Sequence, residues 1–149
     1  MELPGAVLFC CNQNRVRSPI AEALMKLMFG DRVYVDSCGL KPDKDDEPDP
    51  FVLAVMDEMG ADLSRHRPKT FDELEEDSFD LVISLTPEAH HRALELSRAR
   101  AVEIVYWPTV DPTLVLGARD EVMGAYRELR EALAARIRAR FGPIPSFGG

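Results

Sequence analysis

Apolar positions along the chain fall into short unbroken runs separated by stretches where they recur every three or four residues. AVLFCC, at residues 6–11, is a continuous apolar run of strand length. It predicts a strand buried in a parallel sheet. Ser18-Pro19 then opens a helical pattern, with Ser as N-cap and Pro in the first turn. Its apolar stripe is Ile20, Leu24, Leu27 and Met28, and it ends at Gly30. RVYVDSC, at 32–38, predicts a second strand, and the charged, proline-bearing 41–50 a surface loop. Asp49-Pro50 opens a second helix with Val52, Val55, Met56 and Met59 on one face and Gly60 at its close. FDLVISL, at 79–85, is a third buried strand; 87–98 is a helix; AVEIVYW, at 101–107, is a fourth strand; 108–117 is a loop. A long last helix over 119–141 carries Val122, Tyr126, Leu129, Leu133, Ile137 and Phe141 on one stripe. Residues 142–149 read as a flexible, frayed tail.

Strands alternating with helices, with no internal repeat and no linker of domain scale, predict one α/β domain over 1–141. Its expected architecture is a four-stranded parallel sheet flanked by helices. Ligands of such folds sit at the carboxyl ends of strands, where a strand turns into a helix. The first such turn is the segment 11–18, between the first strand and the first helix.

Composition narrows the class. The chain has 149 residues, 46% apolar and 30% charged, which suits a soluble globular domain. A formal net charge of −8 argues against a nucleic-acid partner, which needs a basic face, and against an anionic membrane. Any anion site has to be built locally. No apolar run reaches the length of a membrane span, and residues 1–5 lack the basic start and apolar stretch of a leader. Three cysteines, Cys10, Cys11 and Cys38, make no disulfide framework and no zinc site. A reducing, cytoplasmic location is the expectation.

The turn reads Cys11-Asn12-Gln13-Asn14-Arg15-Val16-Arg17-Ser18-Pro19. Backbone N–H groups of such a loop, with a helix dipole behind them, form an anion site. The segment from Asn12 through Gln13, Asn14, Arg15, Val16 and Arg17 to Ser18 is therefore expected to cradle phosphate. Arg17 adds a planar fork of donors that grips two phosphate oxygens at once. Cys11, at the strand end, faces the same cavity, where positive potential favours the reactive thiolate. Cys10 points away, because side chains alternate along a strand. Cys38 reads as a small core residue, and His90-His91, adjacent on a helix, make no metal pair.

The spacing of Cys, five residues, Arg and Ser, placed between a buried strand and a Pro-started helix, resembles the low-molecular-weight protein tyrosine phosphatase family and its arsenate reductase relatives. The likeness spans nearly the whole chain. VLFCCNQNRVRSPIAEAL resembles the family's loop and first helix, VDSCG its Val-Asp-Ser-Ala-Gly, and GADLSRHRPKTF its glycine-to-histidine segment. FDLVISL resembles its third strand, and Asp111-Pro112 the Asp-Pro that carries its general acid. The resemblance implies Cys11 as nucleophile, Arg17 as phosphate binder and Asp111 as acid and then base. It implies that Asn14 and Ser18 hold the loop and the thiolate, that Ser37 and His66 brace the loop from behind, and that no metal or other cofactor is needed. By itself Asp-Pro also starts ordinary turns.

Four departures stand out. Gln13 replaces the family's usual glycine, and Val16 a second loop cysteine. Thr113 and Leu114 follow Asp-Pro where tyrosines usually wall the pocket. Leu85-Thr86 replaces Met-Asp after the third strand. Of Tyr106 and Trp107, one is expected to face the core and the other the cleft, where Trp107 would replace part of the missing aromatic wall.

The expected activity is phosphomonoester hydrolysis through a phosphocysteine, with phosphoproteins or small phosphoesters as substrates and phosphate-like anions as ligands. One alternative is an arsenate reductase using an external thiol, since residues 84–97 lack the cysteine pair of thioredoxin-coupled relatives. The other is a non-catalytic phosphoprotein-binding module. Retention of Cys11, Arg17 and Asp111 together argues against pure binding, which needs neither thiolate nor acid.

Overall fold

The computed structural model describes residues 3–45, 47–75, 78–98 and 100–142. The order of elements is β1 (Ala6–Cys11), α1 (Arg17–Phe29), β2 (Tyr34–Gly39), α2 (Pro50–Asp57), β3 (Leu81–Ser84), α3 (Pro87–Leu96), β4 (Glu103–Tyr106) and α4 (Arg119–Phe141). Three short 3-10 turns lie at Gly30–Arg32, Phe71–Glu73 and Pro112–Leu114. The strands form one parallel sheet in the order β2-β1-β3-β4. Every residue of β1 is buried, as its unbroken apolar run requires.

The two faces of the sheet are covered unequally. Val7, Phe9 and Cys11 of β1 face a large core filled by α1, α2 and α4. Ala6, Leu8 and Cys10 face a smaller one under α3, closed by Ala89 and Ala93. Ile20, Leu24 and Met25 of α1 are fully buried, each worth about 1.5–3 kcal/mol relative to exposure. The connection from β1 leads to β2 on one side, while β3 and β4 lie on the other. The carboxyl end of β1 is thus a crevice of the kind in which α/β sheets bind ligands.

Several boundaries differ from the sequence pattern. Leu27, placed on the apolar stripe of α1, is 45% exposed; Ala21 and Met25 take the inner face instead. Arg32 belongs to a 3-10 turn, and β2 begins at Tyr34. Strands β3 and β4 are four residues each, shorter than their apolar runs. The helix at Asp49-Pro50 ends at Asp57, so Met59 lies outside it, partly exposed. Asp49 caps that helix, its Oδ1 accepting from the amides of Phe51 at 2.8 Å and Val52 at 3.3 Å. The last helix runs over the expected residues and stops at Gly142, whose φ of 86° suits glycine. Residues 143–149 of the expected tail lie outside the described residues.

Candidate active site

The loop after β1 climbs from Cys11 and re-enters the fold at α1. Asn14, at φ 55°, makes the turn, a left-handed conformation that asparagine tolerates better than most side chains. Its fully buried side chain and its backbone carry four anchors. The Lys69 amide donates to Asn14 Oδ1 at 3.1 Å, which orients the side chain. Asn14 Nδ2 therefore faces, and donates to, both Ser18 Oγ at 2.8 Å and Ser37 Oγ at 2.9 Å. His66 Nε2 donates to the Asn14 carbonyl at 2.7 Å. Ser37 Oγ in turn donates to Glu22 Oε1 at 2.5 Å. Burial pulls the His66 pKa below its ordinary value, against the Asn14 carbonyl and the Glu22 and Asp36 carboxylates.

The loop is also held from β2 and β3. Leu40 and Lys41 donate backbone N–H groups to the carbonyls of Cys11 and Asn12, at 3.2 and 2.8 Å. Gly39 lies so close beneath it that a Cβ there would meet Asn14 N at 2.7 Å and Asn12 O at 2.9 Å. Thr86 Oγ1, which accepts the Ala89 amide at the start of α3, donates to Asn12 Oδ1 at 2.7 Å. The braces from Gly39, Thr86, Glu22 and Lys69 are not explicit in the spacing of the loop. Gly39 and Thr86 carry recognisable signals, a glycine closing a strand and a Thr-Pro helix start; Glu22 and Lys69 carry none.

Ser18 departs from its expected place. Helix α1 begins at Arg17, and its cap residue, Val16, makes no side-chain cap. The Ser18 hydroxyl is spent inward, 2.9 Å from Cys11 Sγ. Because Asn14 donates to it, its own hydrogen is left for the sulfur or for the more distant Cys38 carbonyl at 3.5 Å. The shorter contact favours donation to a Cys11 thiolate. Cys10 points to the other face, where its thiol contacts the Ile83 carbonyl at 3.8 Å. Burial raises the Cys10 and Cys38 thiols well above the ordinary cysteine range, so neither supplies a thiolate.

Above the loop is a cleft of about 200 Å³. Cys11, Asn12 and Gln13 form its floor with Arg15, Val16 and Arg17, and Asp111 and Thr113 form its far wall. Asp111 caps the 3-10 turn Pro112–Leu114, its Oδ1 accepting from the Thr113 amide at 3.0 Å and the Thr113 hydroxyl at 2.6 Å. Its Oδ2 lies 3.9 Å from Arg17 Nη2, while Arg17 Nη1 donates to the Thr109 carbonyl at 3.5 Å. Trp107 does not wall the cleft. It is 5% exposed and packs in the core against Phe9, with ring centroids 6.2 Å apart. Tyr106 is turned to the opposite face, stacked on His90 at 5.1 Å. Among the described residues no cluster of His, Cys, Asp and Glu is arranged to hold a metal.

A sequence profile described as low molecular weight phosphotyrosine protein phosphatase matches residues 6–114, from β1 through the Asp111 turn. The chain belongs to this family. Its curated relatives include the arsenate reductase of Halalkalibacterium halodurans, 28% identical over 132 residues that cover 89% of this chain and 91% of that protein. The glutaredoxin arsenate reductase of Synechocystis sp. is 34% identical over 79 residues, covering 53% of this chain and 58% of that one. A solved structure described as an arsenate reductase in the phosphate binding state superposes with a TM-score of 0.72 at 24% identity, covering 95% of this chain and 99% of that one. The family of cysteine-based enzymes and its fold are thereby shown. Phosphatases and arsenate reductases share both.

Proposed function

We propose that the protein hydrolyses phosphomonoesters through a phosphocysteine on Cys11. The observation that carries this is the convergence of the Cys11 thiol, the Arg17 guanidinium and the Asp111 carboxylate on one cleft at the start of α1. Asn12, Gln13, Asn14, Arg15, Val16, Arg17 and Ser18 would cradle the phosphoryl group, mainly with backbone N–H groups. Ser37 and His66 would keep Asn14, and so the loop, in place.

In the first step the Cys11 thiolate attacks phosphorus. The S–P bond forms, the P–O bond to the leaving group breaks, and Asp111 gives its proton to the departing oxygen. Asp111 Oδ1 is held by Thr113, so Oδ2 is the atom that would carry the proton. Arg17 swings from its loose contact with Asp111 to two phosphoryl oxygens. In the second step water attacks phosphorus, Asp111 takes the water's proton, and the Cys11 thiolate leaves. Ser18 stabilises that thiolate at both ends of the cycle.

The test is rapid mixing of the enzyme with nitrophenyl phosphate. The expected result is a burst of nitrophenolate equal to the enzyme concentration and a phosphocysteine recoverable at Cys11. Cys11→Ser is expected to lose turnover by at least about 10³-fold while still binding phosphate or vanadate through the loop and Arg17. Appreciable steady turnover by Cys11→Ser would overturn the assignment.

A second reading is favoured by the names of the curated relatives, which are arsenate reductases. Arsenate in the same cradle would form an arseno-cysteine, and reduction then needs two electrons from further thiols. Residues 84–97 hold no cysteine, and Cys38 lies buried beside Cys10 across the sheet. Reduction would have to use an external thiol such as glutathione or mycothiol. Arsenate-dependent oxidation of that thiol distinguishes the two.

A further inference from the structure

We infer that the Asn12 side chain is a second hydrogen-bond donor to the departing oxygen of the phosphoester, and that Thr86 is the residue that turns it to that task. This rests on the hydrolase reading above. Thr86 caps α3, where its Oγ1 accepts the Ala89 amide at 3.1 Å. It is 2% exposed, so its own hydrogen needs an acceptor inside the protein. That acceptor is Asn12 Oδ1, at 2.7 Å. With the amide turned over, the Thr86 hydrogen would be orphaned. The contact therefore fixes which branch of the amide is oxygen, and Nδ2 is the branch left over. Among the described residues no group accepts from Asn12 Nδ2.

In the sheet order β2-β1-β3-β4, Asn12 follows the end of β1 and Thr86 the end of β3, so the Asn12 side chain leans toward β3. Asp111 reaches the cleft from beyond β4, on the same side of β1. Both residues line the cleft of about 200 Å³ whose floor holds Cys11. In-line attack by Cys11 puts the departing oxygen opposite the sulfur, where Asp111 is to protonate it. The other three phosphoryl oxygens are taken by the loop N–H groups and by Arg17. A side-chain donor leaning toward Asp111 is then left for the fourth. As the P–O bond breaks, charge gathers on that oxygen. Asp111 transfers its proton there, while Asn12 keeps its hydrogens and lends a fixed dipole. The amide does not titrate, so its help persists where Asp111 has no proton to give.

The test is single-turnover phosphorylation by nitrophenyl phosphate in Asn12→Leu, in Asp111→Asn and in the double variant, with Thr86→Val and Thr86→Ser beside them. Asn12→Leu is expected to slow phosphorylation about tenfold while Asp111 can still neutralise the departing oxygen. In the Asp111→Asn background that oxygen leaves as an anion, and the same substitution should cost more, about 10²-fold. Thr86→Val keeps the side chain's shape but frees the amide to turn, so it should lose part of what Asn12→Leu loses. Thr86→Ser keeps the hydroxyl and should restore most of the rate. The pH profile of Cys11 alkylation by iodoacetamide reads the loop and the thiolate, and should match the wild type in the Asn12 and Thr86 variants. A rate that Asn12→Leu leaves intact overturns the inference. So does an equal loss with and without Asp111, or a shifted alkylation profile, since Asn12 would then serve only the loop. If the wild type itself gives no burst of nitrophenolate, the hydrolase reading fails, and the two failures are thereby told apart.

Discussion

Asp111 shows how a single residue's partners divide its labour. One oxygen is fixed by the Thr113 amide and hydroxyl, and the other faces the cleft, 3.9 Å from Arg17. Where a tyrosine would supply a wall, Thr113 supplies a hydrogen bond to Asp111, the proposed acid. Asp111→Asn is expected to keep the turn, since its amide oxygen still accepts from Thr113, but it has no proton to give. A positioned acid is worth about 10²–10⁴-fold when the leaving oxygen is strongly basic. The variant should lose that much in the phosphorylation step on phenyl phosphate and far less on nitrophenyl phosphate. Pre-steady-state rates across a leaving-group series measure this, and an equal loss for every leaving group would make Asp111 structural. At this scale the loop was legible because its chemistry is local: Cys11, Arg17 and Ser18 lie within one strand-to-helix turn. The roles of Gly39 and Glu22 were not, because each depends on which backbone or hydroxyl another element brings against it.

Among the elements, the α2–α4 contact bears most directly on the cleft. The Tyr126 hydroxyl of α4 donates to the Asp49 carboxylate at the start of α2, and Asp49 orients Arg15. Burial, helped by Asp49, raises the Tyr126 phenol above its ordinary value, so it remains a donor throughout the neutral range. With the folded value above the unfolded one, this contribution is complete below about pH 10 and fades only as pH rises through the folded value. Next along α4, Arg127 and Arg130 grip Glu58 at the end of α2 and hold its carboxyl down to about 2. Tyr126→Phe removes a buried hydrogen bond to a charged group and is expected to cost about 1.5–3 kcal/mol at pH 7, read from urea unfolding. A cost near zero would mean that Asp49 finds another donor. Element types were legible in the apolar periodicity, and the ends of the elements were not. Leu27 fits a helical stripe by spacing, yet the inner face of α1 is set by where α4 lies, which no local pattern records. Strands β3 and β4 stop short of their apolar runs because residues such as Leu85 and Trp107 fill the core just past the hydrogen-bonded ladder.

For the molecule as a whole, a net charge of −8 surrounds a cleft with two guanidinium groups, so the proposed anion site would be a local inversion of the global field. The sheet carries a second division that matters for handling the protein in solution. Alternation along β1 sends Cys11 toward the cleft and Cys10 to the far face, where it lies in register with Cys38 in the smaller core. The three thiols therefore answer to different events. Reagent that enters the cleft meets one of them, while the other two are released only when the smaller core opens. Alkylation with iodoacetamide should stop at one equivalent in the folded protein, be blocked by phosphate, and proceed to three equivalents in denaturant. Mass spectrometry counts the labels directly. A second equivalent taken up under native conditions would show that the smaller core opens on its own. The pattern would make ordinary thiol chemistry a two-channel meter, one channel reporting occupancy of the anion site and the other the integrity of the fold.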